Sequence, residues 1–77
     1  MAETKLDLRG LKCPLPALKA RKALKKLAAG DRLVLECTDP LTTIDIPNLL
    51  RETGDVLEES ARRGAKKPLF VFRIRKA

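Results

Sequence analysis

The 77-residue sequence contains no histidine, and its only cysteines are Cys13 and Cys37. A structural zinc site needs four cysteine or histidine ligands, so the chain cannot build one from these two residue types. A Cys–His or Ser–His catalytic pair within the chain is excluded as well. One disulfide is arithmetically conceivable, but cytoplasmic proteins keep their thiols reduced, and we therefore expect two free thiols. We expect no bound metal and no other cofactor.

Aromatic residues and long apolar runs are also scarce. Phe70 and Phe72 are the only aromatic residues, so no Trp or Tyr is present to stack on unpaired bases. The net charge of +7 suits an acidic protein partner or nucleic acid, and the lack of aromatics makes direct nucleic-acid binding the less favoured choice. No apolar run can span a bilayer, and residues 1–5 lack the apolar segment of a signal peptide. We therefore expect a cytoplasmic protein without membrane contact.

Alternating polarity and turn signals predict six elements in the order βαβαββ. The strands are predicted at about 5–9, 32–37, 55–62 and 69–75, and the helices at about 14–28 and 43–53, with a turn at 63–68. The length fits a single domain, 1–77. Two helices can cover only one face of a four-stranded mixed sheet, so we expect an α+β fold, a two-layer α/β sandwich with an open face. The alternation places four cations on that open face: Lys5, Arg9, Arg73 and Arg75.

The first helix has an apolar side and a basic side when its residues are spaced about 100° apart. The side predicted to be buried carries Ala17, Ala20, Ala23, Leu24, Leu27 and Ala28. Leu15 and Leu18 fall instead among the lysines, where we expect them to be exposed. Scattered surface leucines are common, but an apolar patch with a basic rim also suits a partner with an acidic rim. The predicted docking residues are Lys12, Leu15, Leu18, Lys19 and Lys22.

Cys13 opens the segment Cys13-Pro14-Leu15-Pro16 and is predicted to be the N-cap of the first helix. Pro14 and Pro16 restrict the backbone there. The positive end of the helix dipole, the N–H groups of Leu15 and Ala17, and the adjacent Lys12 would favour the thiolate. The sequence therefore predicts a reactive cysteine, with an inert loop cysteine as the alternative.

The sequence resembles the TusA/SirA/YedF family of small sulfur-carrier proteins, and the resemblance covers almost the whole chain. It implies that Cys13 receives sulfane sulfur as a persulfide and transfers it to a partner protein, with Pro14 and Pro16 shaping the loop. The implied donor is a cysteine desulfurase or a rhodanese. The implied acceptor serves tRNA thiolation, molybdenum-cofactor assembly or sulfur oxidation. The resemblance rests on Asp7-Leu8-Arg9-Gly10-Leu11-Lys12-Cys13-Pro14-Leu15-Pro16, Lys22, Gly30, Asp39-Pro40, Thr43, Asp45-Ile46-Pro47, Gly54 and Phe72-Arg73-Ile74-Arg75-Lys76.

Three further polar residues and the second cysteine have more than one interpretation. Asp39, Thr43 and Asp45 lie near the start of the second helix, where such side chains are usually caps. The resemblance includes these positions, which leaves open a supporting role near a partner interface. Cys37 ends the second strand and is expected to be a core residue, although a relay with Cys13 is conceivable.

Three classes of function follow from these observations. The leading one is a sulfurtransferase-type carrier that acts through Cys13 and depends on partners, since the chain has no histidine base. The second is a regulatory nucleic-acid-binding module, which the net charge suggests. The third is a thiol redox switch between Cys13 and Cys37.

Overall fold

The computed structural model describes residues 3–64 and 66–77. Its elements confirm the predicted order: β1 (Glu3–Leu8), α1 (Leu15–Lys25), β2 (Arg32–Cys37), α2 (Thr42–Thr53), β3 (Val56–Arg63) and β4 (Leu69–Arg75). The predicted turn at 63–68 includes Ala65, and the segment compared with signal peptides includes Met1 and Ala2. These three residues lie outside the described part of the chain.

The strands form one mixed sheet in the order β1-β2-β4-β3. β1 runs parallel to β2, whereas β4 is antiparallel to both β2 and β3. This is the predicted four-stranded α+β arrangement. One row of paired residues crosses all four strands, namely Leu8, Cys37, Phe70 and Arg62. The row marks the edge at which β1 and β2 both end, so the loops that follow these two strands leave the sheet at the same edge.

The core consists of sheet and helix side chains that are almost fully buried. Ala20 and Leu24 of α1 are buried as predicted, whereas Ala17, Ala23 and Leu27 are half-buried. The other members of the core are Leu8, Leu33, Leu35, Cys37, Ile46, Leu49, Leu50, Phe70, Phe72 and Ile74.

None of the helices in the described part of the chain is long and apolar enough to cross a membrane.

α1 ends at Lys25, three residues before its predicted end. The N–H of Leu27 donates to the carbonyl of Leu24 at 3.2 Å, which is the tighter i to i−3 pattern. The N–H of Ala28 donates to Oδ2 of Asp31 at 3.0 Å and so does not continue the helix. The prediction that Ala28 is buried is therefore wrong, and its side chain is exposed.

The cations of the open sheet face are paired with acidic residues. Lys5 lies 3.2 Å from Glu36, and Arg73 and Arg75 lie 3.8 and 3.9 Å from Glu59 and Glu58. The strand predicted to reach Arg9 ends one residue earlier, and Arg9 turns back to bind Asp7 at 2.9 Å. Hydrogen bonds from Arg9 hold the pKa of Asp7 at about 2. These pairs reduce the net positive charge of the open face.

Candidate functional site

The loop that carries Cys13 is fixed to the ends of two strands. Gly10 adopts a φ of +80°, a left-handed conformation that favours glycine, and turns the chain after β1. The N–H of Leu11 donates to the carbonyl of Leu8 at 3.3 Å. The N–H of Gly10 donates to Oγ1 of Thr38, just after β2, at 2.9 Å. The loop is thus held against the end of β2.

Cys13 lies one position before the place predicted for it. Pro14 is the N-cap, α1 begins at Leu15, and the Cys13–Pro14 peptide bond is cis. The sequence predicts that the N–H of Leu15 is available to the thiol, but this group donates to the carbonyl of Lys12 at 2.9 Å. Pro16 is fully buried, so this proline also packs against the core. The helix terminus therefore offers the sulfur fewer donors than the sequence indicated.

Asp39 fastens the backbone of Cys13 to the start of α2. Its Oδ2 accepts the N–H of Cys13 at 2.6 Å, and its Oδ1 accepts the N–H of Leu41 at 3.0 Å. These two hydrogen bonds lower the pKa of Asp39, and the nearby charge of Lys12 acts in the same direction. One carboxylate therefore joins the Cys13 loop to the loop after β2.

Asp45 contacts the thiol itself. Sγ of Cys13 donates to Oδ2 of Asp45, a residue in the first turn of α2 that lies 32 positions further along the chain. This hydrogen bond raises the pKa of the Cys13 thiol, and partial burial and the charges of Asp45 and Asp39 raise it further. The thiol pKa is therefore raised, whereas the sequence predicts a setting that favours the thiolate; the difference comes from the hydrogen bond to Asp45, from burial and from the charges of the two carboxylates.

The hydroxyl and carboxyl groups at the start of α2 do not act as simple caps. Leu41 is the N-cap of α2, and no side-chain cap is present there. The hydroxyl of Thr42 donates to the carbonyl of Asp39 at 2.6 Å, and that of Thr43 donates to the carbonyl of Pro40 at 2.8 Å. Both hydroxyls thus bind carbonyls of the loop that holds Asp39.

Exposed apolar side chains lie on both elements that follow the loops of the Cys13 site, namely α1 and the start of α2. Leu15 and Leu18 of α1 are 45% and 57% exposed, as predicted, and the side chains of Lys12, Lys19 and Lys22 are exposed as well. At the start of α2, Leu41 and Ile44 are 51% and 59% exposed. This second pair is not among the predicted docking residues. A helical projection would have found Ile44, because it lies about 200° from the buried Ile46.

Two separate cavities border this loop, one lined by Cys13 and the other by Pro14. A cavity of about 550 Å³ is lined by Lys12, Cys13, Asp39 and Leu41, among others. A groove of about 260 Å³ runs between the helices and is lined by Leu18, Asp45, Asn48 and neighbouring residues. An ion pair between Arg21 and Glu52 also borders this groove. Asp45 therefore forms part of the groove wall as well as binding the thiol.

Cys37 is the core residue that the sequence predicts. Its side chain is fully buried, and burial raises its thiol pKa to about 11, although a hydrogen bond with Thr42 partly opposes the shift. Both cysteines are free thiols. A buried, protonated sulfur is a poor nucleophile, so the two thiols differ in chemical accessibility.

The protein is thus a small two-layer α/β sandwich with a mixed sheet, and it carries one half-buried thiol at the ends of its strands. The family model described as Sulfurtransferase TusA matches residues 4–76. The sulfur carrier protein TusA of Allochromatium vinosum is 39% identical over 75 residues, which cover 97% of this chain and 95% of that protein. A protein of Neisseria meningitidis serogroup A is 41% identical over 66 residues, which cover 86% of this chain and 89% of that one. The chain belongs to the TusA family.

A solved structure shares the fold. The crystal structure of the B. subtilis tRNA methyltransferase TrmK superposes with a TM-score of 0.71 at 18% identity. The match covers 95% of this chain and 31% of that one. At this level of identity the similarity concerns the fold alone.

Proposed function

We propose that this chain is a sulfur carrier that accepts sulfane sulfur as a persulfide on Cys13 and transfers it to a partner protein. The observation that carries the proposal is the position of Cys13, a half-buried thiol at the strand ends, with exposed apolar residues on α1 and at the start of α2. Membership of the TusA family and the A. vinosum relative described as a sulfur carrier support it. Residues 1–77 would act as one carrier domain in the cytoplasm.

The reaction needs little machinery within the chain. Cys13 loses its proton and attacks the outer sulfur of a persulfide on the donor. The bond between Cys13 and that sulfur forms as the donor's S–S bond breaks, and the donor leaves as a thiolate that takes up a proton. The same exchange, repeated with an acceptor thiol, unloads Cys13. No oxidant or reductant is consumed. The chain has no histidine to act as a base, so the exchange would rely on the partners.

Partners would dock around the thiol. A donor such as a cysteine desulfurase or a rhodanese, and later an acceptor protein, would contact the exposed leucines of α1 and their basic rim. An acidic rim on the partner would complement these lysines. The acceptor's pathway would be tRNA thiolation, molybdenum-cofactor assembly or sulfur oxidation. The proposed docking residues are Lys12, Leu15, Leu18, Lys19 and Lys22.

Four residues would support the loop that carries Cys13, namely Pro14, Pro16, Asp39 and Thr43. Pro16 packs into the core, and Asp39 binds the amide of Cys13. Thr43 binds the loop that carries Asp39 through the carbonyl of Pro40. Each of these contacts restricts the position of Cys13 without touching its sulfur.

Intact mass spectrometry tests the proposal directly. After incubation with a cysteine desulfurase and cysteine, the protein should gain the mass of one sulfur atom, and a reductant should remove it. The Cys13→Ser variant should gain nothing, whereas Cys37→Ala should load like the original protein because Cys37 is buried. A folded protein that never gains sulfur would exclude the carrier function. A loss of two hydrogens on oxidation would instead indicate the redox switch.

A further inference from the structure

We propose that Asp45 is a positioning residue that keeps the unloaded Cys13 as a neutral thiol until a docked partner occupies the Asp45 carboxylate with a cation. The inference rests on the proposed function, because it concerns the same sulfur. It adds a regulatory step and a chemical requirement on the partner, namely a positively charged side chain that enters the groove between the helices.

The geometry of the contact carries the proposal. Sγ of Cys13 can donate to Oδ2 of Asp45 only while the sulfur holds its proton. Ionisation would remove this hydrogen bond and place two negative charges side by side. The protonation of Cys13 therefore depends directly on whether the carboxylate of Asp45 remains free to accept from it.

The other charged groups near the thiol do not reverse this effect. Asp39, in the loop after β2, adds negative charge and raises the pKa of the Cys13 thiol further. Lys12, beside Cys13 in the chain, acts on Asp39, whose pKa it lowers. Across the groove, Arg21 is engaged by Glu52. The immediate surroundings of the sulfur are thus acidic, although the protein as a whole is basic.

Asp45 can be reached from outside because it lines the groove between α1 and α2. A lysine or arginine of a partner placed there would pair with the carboxylate and withdraw it from the thiol. Cys13 would then ionise more readily, and it would do so within the docked complex. In the free protein the sulfur would stay less reactive toward small electrophiles and disulfides.

Alkylation of the isolated protein by iodoacetamide tests the first half of the proposal. The rate is measured against pH, and mass spectrometry locates the modification on Cys13. Asp45→Asn should move the rate profile to lower pH and raise the rate at pH 7 several-fold. Asp45→Glu, which keeps a carboxylate, should keep the profile near that of the original protein. Glu59→Gln is the matched control, because it removes a carboxylate from β3, outside the lining of the groove, and it should change nothing.

An engineered cation tests the second half. Asn48 lines the groove and lies three residues after Asp45 on α2, which places the two side chains on neighbouring positions of the helix surface. Asn48→Arg should therefore mimic the partner's cation and raise the alkylation rate at pH 7. Asn48→Gln should not. Adding Asn48→Arg to Asp45→Asn should produce no further increase, because the carboxylate that the arginine engages is gone.

The outcomes separate the two halves from each other and from sulfur transfer. An unchanged profile in a folded Asp45→Asn variant, as judged by circular dichroism, would overturn the proposal. If that variant does not fold, Asp45→Ser, which also removes the carboxylate, replaces it in the same measurement. A shift of the alkylation profile in Asp45→Asn without an effect of Asn48→Arg would overturn only the claim that the partner supplies a cation. Alkylation needs no sulfur donor, so failure to load sulfur would contradict the proposed function and leave this result intact.

Discussion

Cys37 illustrates how burial controls the chemistry of a single residue. Its thiol pKa is about 11 in the folded protein, against an ordinary value of 9.0 that the unfolded chain would restore. Because the pKa of this thiol is higher in the folded state, its contribution to the free energy of unfolding is fully present below about pH 9. The contribution is lost as the pH rises toward 11. The free energy of unfolding should therefore fall over this range.

Urea unfolding at pH 7, 9 and 10.5 checks this expectation. Cys37→Ala should flatten the decrease, and the groups that both proteins share cancel in the comparison. Cys13→Ser is a useful second reference, since the pKa of Cys13 is also raised and contributes a decrease of the same sign. Parallel pH profiles for the original protein and Cys37→Ala would contradict the assigned burial effect.

Cys13 differs from Cys37 in that its state depends on another residue. The local sequence around Cys13 contains a lysine and a helix start, and both favour a thiolate. The bond to Asp45 reverses that direction. The error of the sequence-based prediction has a physical reason, because a contact between α2 and the Cys13 loop leaves no signal in the residues next to the cysteine.

At the scale of the element, α2 separates a core face from an outer face within two residues. Ile46 is fully buried, whereas Ile44, next to Asp45 in the chain, is 59% exposed. The same substitution should therefore lower stability strongly at Ile46 and hardly at all at Ile44. Ile46→Ala should lower the free energy of unfolding by about 2–5 kcal/mol, through lost burial and the cavity it leaves. Ile44→Ala should change stability by no more than about 0.5 kcal/mol.

The prediction for Ile44→Ala extends to function if the second apolar pair contacts a partner. Chemical denaturation measures the stability of both variants, and sulfur loading by a cysteine desulfurase measures transfer. Ile44→Ala should load more slowly at a limiting donor concentration while remaining as stable as the original protein. Equal loading rates would restrict docking to the α1 side of Cys13.

At the scale of the whole molecule, the location of the positive charge matters more than its total. The sheet face pairs its cations with glutamates, whereas Lys19 and Lys22 lie exposed beside Leu18 on α1. Replacing both lysines with glutamate should slow sulfur transfer, and the effect should be larger at low salt because screening weakens exposed charge interactions. Loading rates at two ionic strengths measure this.

Lys25→Glu with Lys26→Glu provides the matched control. It causes the same change in net charge at two exposed lysines at the end of α1, which is the end away from Cys13. Loading should respond to the substitutions at Lys19 and Lys22 and not to these. A slower rate in the control variant alone would move the docking surface to the end of α1, and equal losses in both would indicate that only net charge matters.

The order of the six elements, the exposure of Leu15 and Leu18, and the burial of Cys37 could all be predicted from the sequence. These properties follow from apolar periodicity and turn residues, which depend on neighbours a few positions apart. The ends of α1, the tie from Asp39 and the bond from Cys13 to Asp45 were decided by tertiary structure. The sheet brings the ends of β1 and β2 to one edge, and α2 begins at that edge. Only this packing sets a carboxylate against a thiol 32 residues away and so determines its protonation.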